Sequence, residues 1–586
     1  MTAERLGRAT FVVVDLKGRV VLRGVPSRAP VGTWNDRYHA VYDLDFSSLR
    51  TPGRYRIVVR GDADARSPYF RIAGKGAVYG KLLRNGLRFD QMQRDGADVI
   101  PGALNRKPAH LNDRNAKVYA HPNFLPDSDT VTDEDLVRIP GSLDASGGWA
   151  DAGDYLKFTH SSAYNDVLLF LSQRMLGRHA PNLVRNEARH GLEWLDKMWD
   201  AENKTLYIQV GIGSSNEDGT LLGDHDFWRL PETDDDLTGH LNRYVAHRPV
   251  FRAADPGADI SPNLVGRVSA AFALAAQVDA KKRPARARRE LRQAKLLYAQ
   301  ADTESPPEEL VTALPHAFYP EDVWRDDMEL GATEIALASR RLGRDARPFV
   351  REAAKWAHGY IRNDTGDTLN LYDTSALARA DLARLLKRTR ALPGLPITRS
   401  DLVADIRRQL QGALDMSRSD PFGAGAAYDN WDVNSHTFAL VATAGLYHRL
   451  AGPSRFDRFA TTQRNWLLGG NPWGMSAMVG VGTTFPQCLH HQLANLSGTA
   501  DGSPPIDVGA VANGPNDASI FEDGLGDHQD AMVRCPPQPG NKFRPFDGRG
   551  SRLVDDVRSW QTSEPALDMT GAAIIAGAVQ LTVPRR

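Results

Sequence analysis

The sequence changes character near Gly76, and this change constrains the fold more than any other feature. Before it, short segments rich in β-branched and aromatic residues alternate with turn residues such as Lys17-Gly18 and Pro52-Gly53. Closely spaced short strands are typical of a small β-sandwich, so residues 1–75 are expected to form one. The predicted strands are Thr10–Asp15, Arg19–Gly24, Tyr38–Leu44, Arg54–Arg60 and Pro68–Ile72.

After that point the apolar residues recur at helical spacing. One run places Tyr164, Val167, Leu168, Leu171 and Met175 on one face of a helix. About a dozen helices are predicted between Ser161 and Val579, without convincing strand alternation among them. Residues 76–586 are therefore expected to form an all-α domain. Paired helices could close into a ring of six hairpins or stack as a solenoid, and the pattern leaves both open.

Long loops rich in glycine and proline interrupt the helices. They span residues 93–148, 211–262, 469–507 and 512–560. Loops of this length in a compact domain are usually functional or disordered. Three of them are dense in Trp, His, Asp and Asn, which disfavours disorder and directs the search for a site to them.

Charge and cysteine content narrow the function classes. Lys plus Arg and Asp plus Glu both number 72, so the formal net charge is zero. Nucleic-acid and anionic-membrane partners usually require a basic excess, and neither is expected here. Two cysteines, Cys488 and Cys535, exclude a disulfide framework and leave a single bridge open.

The amino terminus and the apolar runs bear on location. The first residues lack the apolar core of a secretory signal, and no run of about eighteen apolar residues predicts a membrane span. We therefore expect a cytoplasmic protein, or a secreted one if the start site is misassigned.

Two aspartates in a glycine-rich turn are the leading candidates for catalysis. Asp151 and Asp154 lie three residues apart in GGWADAGDYLKF, with Gly153 between them. Close like charges raise the pKa of one carboxyl, which suits a general base or a pair that holds water. Trp149 and Tyr155 offer flat surfaces for a sugar ring. A helix-capping turn and a calcium turn remain open as alternatives.

Three further segments carry polar and aromatic side chains. DHDFW places His225 and Trp228 three residues apart on a loop, although a satisfied core histidine is the simpler interpretation. His490 and His491 follow a glycine-rich stretch. Adjacent histidines chelate one metal poorly and lack HExxH spacing, so we predict hydrogen bonding to a polar ligand and no metal site. Glu564 opens the last helix, where a favourable helix dipole alone would explain it.

These segments resemble glycoside hydrolase family 9, the inverting cellulase family. GGWADAGDYLKF, DHDFWRLPE, WLLGGNPWGMS followed by LHH, and SEPALDMTGAA occur in the order of that family's motifs. LDFSSLRTPGRYRIVV resembles the immunoglobulin-like domain that precedes the catalytic domain in one branch. The resemblance covers nearly the whole chain.

The resemblance implies an (α/α)6 barrel after the immunoglobulin-like domain, with the substrate in a cleft across the loops. It assigns Asp154 as general base, Asp151 as its partner in holding the water, and Glu564 as general acid. An inverting enzyme separates acid and base by about 6.5–9.5 Å to admit that water. No cofactor is expected for catalysis, and structural calcium stays open. The residues implied to line the sugar subsites are His225, Trp228, Trp431, His490, His491 and Gln492.

Three residues of this sequence differ from the family pattern, and we expect the differences to affect substrate recognition. Gln492 stands where the family has Arg, Ser563 where it has Asn, and Ala150 where it has an aromatic residue or His. A neutral amide in place of the positively charged guanidinium group should change substrate recognition near the cleavage point.

The first hypothesis is therefore an inverting hydrolase of β-1,4-linked glucan chains or oligosaccharides. The alternatives are an exo-acting β-glucosidase or β-glucosaminidase on short imported oligosaccharides, a non-catalytic sugar-binding protein, and a metal-dependent hydrolase using His490 and His491.

Overall fold

The computed structural model describes residues 1–364, 366–388 and 392–584. The amino-terminal domain is built on one five-stranded sheet in which β2, β1, β3 and β4 lie in that order and β5 also pairs with β3. Alternation puts Phe11 and Val13 of β1 and Tyr55 of β3 into its core. The strands are β1 Ala9–Asp15, β2 Val20–Gly24, β3 Gly53–Gly61, β4 Ala65–Arg66 and β5 Phe70–Ile72.

One predicted strand of this domain is wrong. Tyr38–Leu44 makes only isolated bridges in the described chain, Thr2 with Ala40 and Gly32 with Val41. These contacts do not extend into a ladder, so the expected second sheet of a sandwich does not form there. Leu44 of this segment, with Phe46 just after it, instead packs over the core of the first sheet.

Helices dominate the rest of the chain. Those at or before residue 298 are α1 Lys75–Gln93, α2 Thr159–Leu176, α3 Asn182–Met198, α4 Arg243–Ala246, α5 Pro262–Asp279 and α6 Pro284–Tyr298. Those up to residue 467 are α7 Arg325–Arg341, α8 Arg347–Asn363, α9 Ser375–Arg388, α10 Arg399–Ser419, α11 Val433–Ala451 and α12 Phe456–Leu467. The last three are α13 Gln492–Ser497, α14 Trp560–Ser563 and α15 Leu567–Thr582.

Six of these helices form a closed ring. α2, α5, α7, α9, α11 and α15 each contact the next, and α15 returns to α2. The helices α3, α6, α8, α10, α12 and α1 pack outside them, one against each ring member. Closure excludes the stacked solenoid and is consistent with the expected barrel of six hairpins.

Burial explains the two layers. Nearly every residue of α2, α5 and α11 is buried, because other elements surround these helices, whereas α3 and α8 bury one face. Gly266 of α5 lies against the backbone of Asp327 in α7, and Gly331 lies against the carbonyl of Gly266. A side chain at either glycine would separate the two helices.

The helical domain also contains strands that the sequence pattern did not predict. A second sheet has the order β7, β6, β11, β10 and β8, with β9 paired to β10. Three of its strands, β6, β7 and β11, lie within two of the long loops. The strands are β6 Ala116–Tyr119, β7 Arg138–Leu143, β8 Lys157–Phe158, β9 Trp199–Asp200, β10 Thr205–Val210 and β11 Val250–Arg252, and β12 Asn516–Asp517 pairs separately with β13 Ser551–Arg552.

Trp34 joins the two domains. Its ring meets Phe422, Tyr428 and Trp473 edge-on, and its indole N–H donates to the carbonyl of Phe546 at 2.7 Å. The side chain is 4 % exposed, so the amino-terminal domain is anchored to loops of the helical domain by a buried aromatic contact.

Cys488 and Cys535 form a disulfide, which resolves the bridge that the sequence left open. It ties two of the long loops together. Disulfides persist mainly in oxidising compartments, so the bridge argues against the expected cytoplasmic location.

Candidate active site

The turn that carries both aspartates is fixed by backbone hydrogen bonds from three directions. Gln93, at the end of α1, receives the N–H of Ala150 and donates its side-chain amide to the carbonyl of Ala152 at 2.6 Å. The N–H of Gln492 donates to the carbonyl of Gly153 at 2.8 Å. The N–H of Leu567 donates to the carbonyl of Asp151 at 3.0 Å, so the start of α15 holds the turn as well.

Glu564 lies directly beside this turn. Its Oε1 accepts a hydrogen bond from the N–H of Gly153 at 3.2 Å, although 411 positions separate the two residues. A Cβ on Gly153 would overlap the carbonyl oxygen of His490 and approach the Glu564 carboxyl, so the contact requires glycine. Burial and the nearby charge of Asp154 raise the pKa of Glu564 to about 8. The carboxyl is therefore protonated at neutral pH, the form that a general acid needs.

Asp154 is positioned by two hydrogen bonds. Its Oδ1 accepts from the N–H of Leu156 at 2.7 Å, and its Oδ2 lies 3.2 Å from Nε2 of His225. The other ring nitrogen of His225 lies 2.7 Å from Oδ2 of Asp129. Burial lowers the pKa of His225, but hydrogen bonds to Asp129 and Asp154 raise it well above its ordinary value. Asp129, His225 and Asp154 form a hydrogen-bonded chain that ends on the candidate base.

Asp151 lies deeper than Asp154. Its two oxygens accept the hydroxyls of Ser161 and Tyr319, and the residue is 2 % exposed. Burial raises the pKa of Asp151 to about 7, although both hydroxyls oppose the shift. Its expected part in holding the attacking water stays a prediction.

The two histidines point in different directions, as their adjacency predicts. Nδ1 of His490 donates to the carbonyl of Val557 at 2.7 Å, and Nε2 of His491 lies 2.8 Å from Oε1 of Gln93. Burial lowers the pKa of His490 to about 4 and that of His491 to about 3, so both rings are neutral. His491 is 1 % exposed and supports the turn, whereas a subsite role was expected.

Four further expected sugar contacts are contradicted by burial. Trp149 is fully buried, with Gly191 of α3 directly against its ring, and Tyr155 is 2 % exposed and donates its hydroxyl to the carbonyl of Arg229. Gln492 is 2 % exposed and accepts the N–H of Arg229 at 3.1 Å. Trp228 is 5 % exposed and packs on His490. Each ring or amide is turned into the packing between loops, so none offers a free face to a ligand.

Trp431 does offer such a face. It is 49 % exposed and stacks on Trp560, which is 47 % exposed, with ring centroids 5.3 Å apart and planes at 15°. Trp560 begins α14, four positions before Glu564. Exposed aromatic rings are costly in water unless they bind something, so this pair is a candidate sugar platform near the candidate acid.

Comparison with known proteins identifies the family of this chain. The model of glycosyl hydrolase family 9 matches residues 79–577, and that of the cellulase N-terminal ig-like domain matches residues 2–64. The chain belongs to glycosyl hydrolase family 9.

Two plant relatives of this chain are named endoglucanases. Endoglucanase 6 of Oryza sativa subsp. japonica is 26% identical over 420 residues, which cover 64% of this chain and 77% of the rice protein. Endoglucanase 1 of Arabidopsis thaliana is 27% identical over 429 residues, 66% of this chain and 79% of the relative. The chain is thus a family 9 glycosyl hydrolase similar to endoglucanases.

Solved structures of the family share the fold. The GH family 9 endoglucanase J30 superposes with a TM-score of 0.72 at 22% identity and covers 99% of this chain and 97% of its own. The Bacteroides ovatus GH9 structure gives 0.68 at 19% identity, covering 98% and 95%.

Sequence reasoning missed several members of this family 9 site. Asp129, Ser161 and Tyr319 contact the candidate catalytic residues or His225, and Trp560 completes the aromatic pair. Tyr319 lies in the loop between α6 and α7, whose proline-rich stretch was a usable signal. The position of Trp560 just before Glu564 was another.

The described residues contain no group of three or more His, Cys, Asp or Glu side chains placed to hold a metal ion. None of their helices combines the length and apolarity that crossing a membrane requires.

Proposed function

We propose that this chain is an inverting hydrolase of β-1,4-linked glucan chains or oligosaccharides. One observation carries the proposal: a carboxyl with a pKa raised to about 8, Glu564, lies against the backbone of the residue before Asp154. A general acid and a general base in one site are the two groups that an inverting glycosidase needs. The names of the relatives support a β-glucan as the substrate.

In this mechanism Glu564 protonates the glycosidic oxygen while Asp154 removes a proton from the attacking water. Asp154 accepts hydrogen bonds from the N–H of Leu156 and from the His225 ring, and these two contacts orient its carboxyl group. Asp151 assists from below the turn, and no cofactor takes part. We interpret the six pairs of inner and outer helices as an (α/α)6 barrel, in which Glu564 and Asp154 lie at the same face.

The platform of Trp431 and Trp560 supports a chain of sugar rings as the ligand. Aromatic faces bind the apolar faces of pyranose rings, and a balanced net charge suits a neutral polymer. The burial of Gln492 supports a different reason for the missing family arginine. The side-chain amide of Gln492 accepts the N–H of Arg229 and packs between the loops. We therefore assign no substrate contact to Gln492.

The deciding experiment is anomer detection by NMR during hydrolysis of cellopentaose and of soluble β-glucan. The α-anomer should appear first from the β-linked substrate, because one displacement inverts the anomeric carbon. A β-anomer as the first product overturns the inverting mechanism. Asp154→Asn should lose most activity while retaining sugar binding, whereas the exposed Asp127→Asn should match the wild type.

A further inference from the structure

A long loop covers one side of the candidate active site. It runs from residue 518 to residue 559, between β12 and α14. Within this fully described segment the regular structure amounts to Ser519–Phe521, Arg544–Phe546 and the two residues of β13. A loop of this length in a compact domain usually has a function.

The loop is attached to residues of the site at several points. The side-chain amide of Gln529 donates to the carbonyl of His225 at 2.6 Å. The carbonyl of Val557 receives Nδ1 of His490, and the disulfide joins Cys535 to Cys488. These attachments involve both histidines that flank the candidate acid and base.

Asn495 adds a further attachment. Its Oδ1 accepts the indole N–H of Trp228 and the N–H of Val533, both at 2.9 Å. Its Nδ2 donates to the carbonyl of Val533 at 2.8 Å. The Asn495 amide therefore links Trp228 to the loop, and moving the loop would break its two hydrogen bonds with Val533.

The attached loop leaves Trp228 without an open face. Trp228 packs with Cys488, Cys535 and Val557 in a small apolar cluster that Met532 also touches. By contrast, Trp431 and Trp560 remain about half exposed. Sugar rings have a free aromatic surface at the Trp431–Trp560 pair and none at Trp228.

We propose that residues 518–559 close the substrate cleft on the side of His225 and His490, so that the enzyme cuts near a chain end and releases short sugars. The proposal rests on the proposed hydrolysis of β-glucan and specifies how that site meets its substrate. Gln529 and the Cys488–Cys535 disulfide act as determinants of specificity, because they hold the closing loop in place. They take no part in bond cleavage.

The test compares viscosity with bond cleavage in the full-length enzyme acting on soluble β-glucan. Cleavage near chain ends should release many reducing ends for little loss of viscosity, and cellohexaose labelled at its reducing end should yield one dominant short product.

Gln529→Ala and the double variant Cys488→Ser/Cys535→Ser should cleave internally more often. An increase in viscosity loss per bond of about fivefold is expected for Gln529→Ala, the effect of one lost hydrogen bond. Gln538→Ala, an exposed glutamine of the same loop, is the matched control.

The outcomes separate the two proposals. Absence of hydrolysis on every β-glucan overturns the proposed function. Hydrolysis by the wild type with random internal products leaves that function standing and overturns the closure. The wild-type product pattern decides the question even if the double variant fails to fold, because it needs no altered protein.

Discussion

Glu564 accepts a hydrogen bond from the N–H of Gly153, so the candidate acid is attached to the turn that carries the candidate base. The contact joins the segment between α14 and α15 to the loop before α2, and α15 packs against α2 where the ring of helices closes. Relative placement of acid and base therefore depends on the whole helical domain, and a single glycine allows their close approach.

Replacing Glu564 by Gln should lower kcat by about 10²–10⁴-fold, the usual contribution of general acid catalysis. The loss should be much smaller on a β-cellobioside with a dinitrophenyl leaving group, which departs without protonation. Initial rates on both substrates measure the difference. Glu308→Gln, at an exposed position far along the chain, is the control. Equal losses on the two substrates would assign Glu564 a role other than proton donation.

The pH profile should report the protonation of the same residue. Because burial and Asp154 raise the pKa of Glu564 to about 8, the active protonated form persists through neutral pH. Activity should fall about tenfold for each pH unit above that pKa, as the acid loses its proton. The measurement is kcat/KM across the neutral and alkaline range. A profile that declines already from mildly acidic pH would contradict the raised pKa.

How much of this site the sequence predicts depends on whether a residue's role is local. Asp151, Asp154 and Glu564 belong to short segments with recognisable order, and the structure brings these segments together. Trp149 was misjudged because its burial comes from packing against α3, far along the chain. Asp129 and Tyr319 reach the site from loops placed by the ring, and no periodicity marks them.

The same distinction holds for the fold. α2 carries the apolar residues at helical spacing from which the sequence predicts a helix, whereas α7 buries charged residues such as Asp326 and Glu329 that no apolar pattern marks. Strand Tyr38–Leu44 fails since strand propensity needs a partner, and this segment meets only single bridging residues. β10 and β11 escaped notice because each is short and lies inside a loop-rich region.

Replacing Asp129 by Asn should impair catalysis without touching the base directly. The change removes one of two carboxylates that raise the pKa of His225, so that pKa should fall. A less charged imidazole orients Asp154 less firmly, and kcat should drop while KM changes little. NMR titration of the His225 ring and steady-state kinetics measure the two effects. Asp127→Asn, exposed on the same loop, serves as control, and an unchanged His225 titration would refute the chain of three residues.

Removing metal ions should leave the initial rate unchanged. The proposed chemistry uses two carboxyl groups, Glu564 as the acid and Asp154 as the base, and assigns no step to a metal ion. The enzyme is dialysed against EDTA and assayed before and after addition of Ca²⁺ or Zn²⁺. A rate that falls and returns with one ion would contradict metal-free catalysis. A change in thermal stability alone would instead indicate a structural ion.

Replacing Trp34 by Ala should destabilise the protein strongly. Trp34 is 4 % exposed, touches three aromatic rings and donates its indole N–H to Phe546, so truncation opens a cavity and leaves a carbonyl without its donor. A loss of about 3–5 kcal/mol in the free energy of unfolding is expected for such a change. Trp431→Ala removes the same side chain from an exposed position and should cost much less, while weakening sugar binding. Urea unfolding of both variants gives the comparison. A loss for Trp34→Ala no larger than that for Trp431→Ala would mean that the two domains are joined by other contacts.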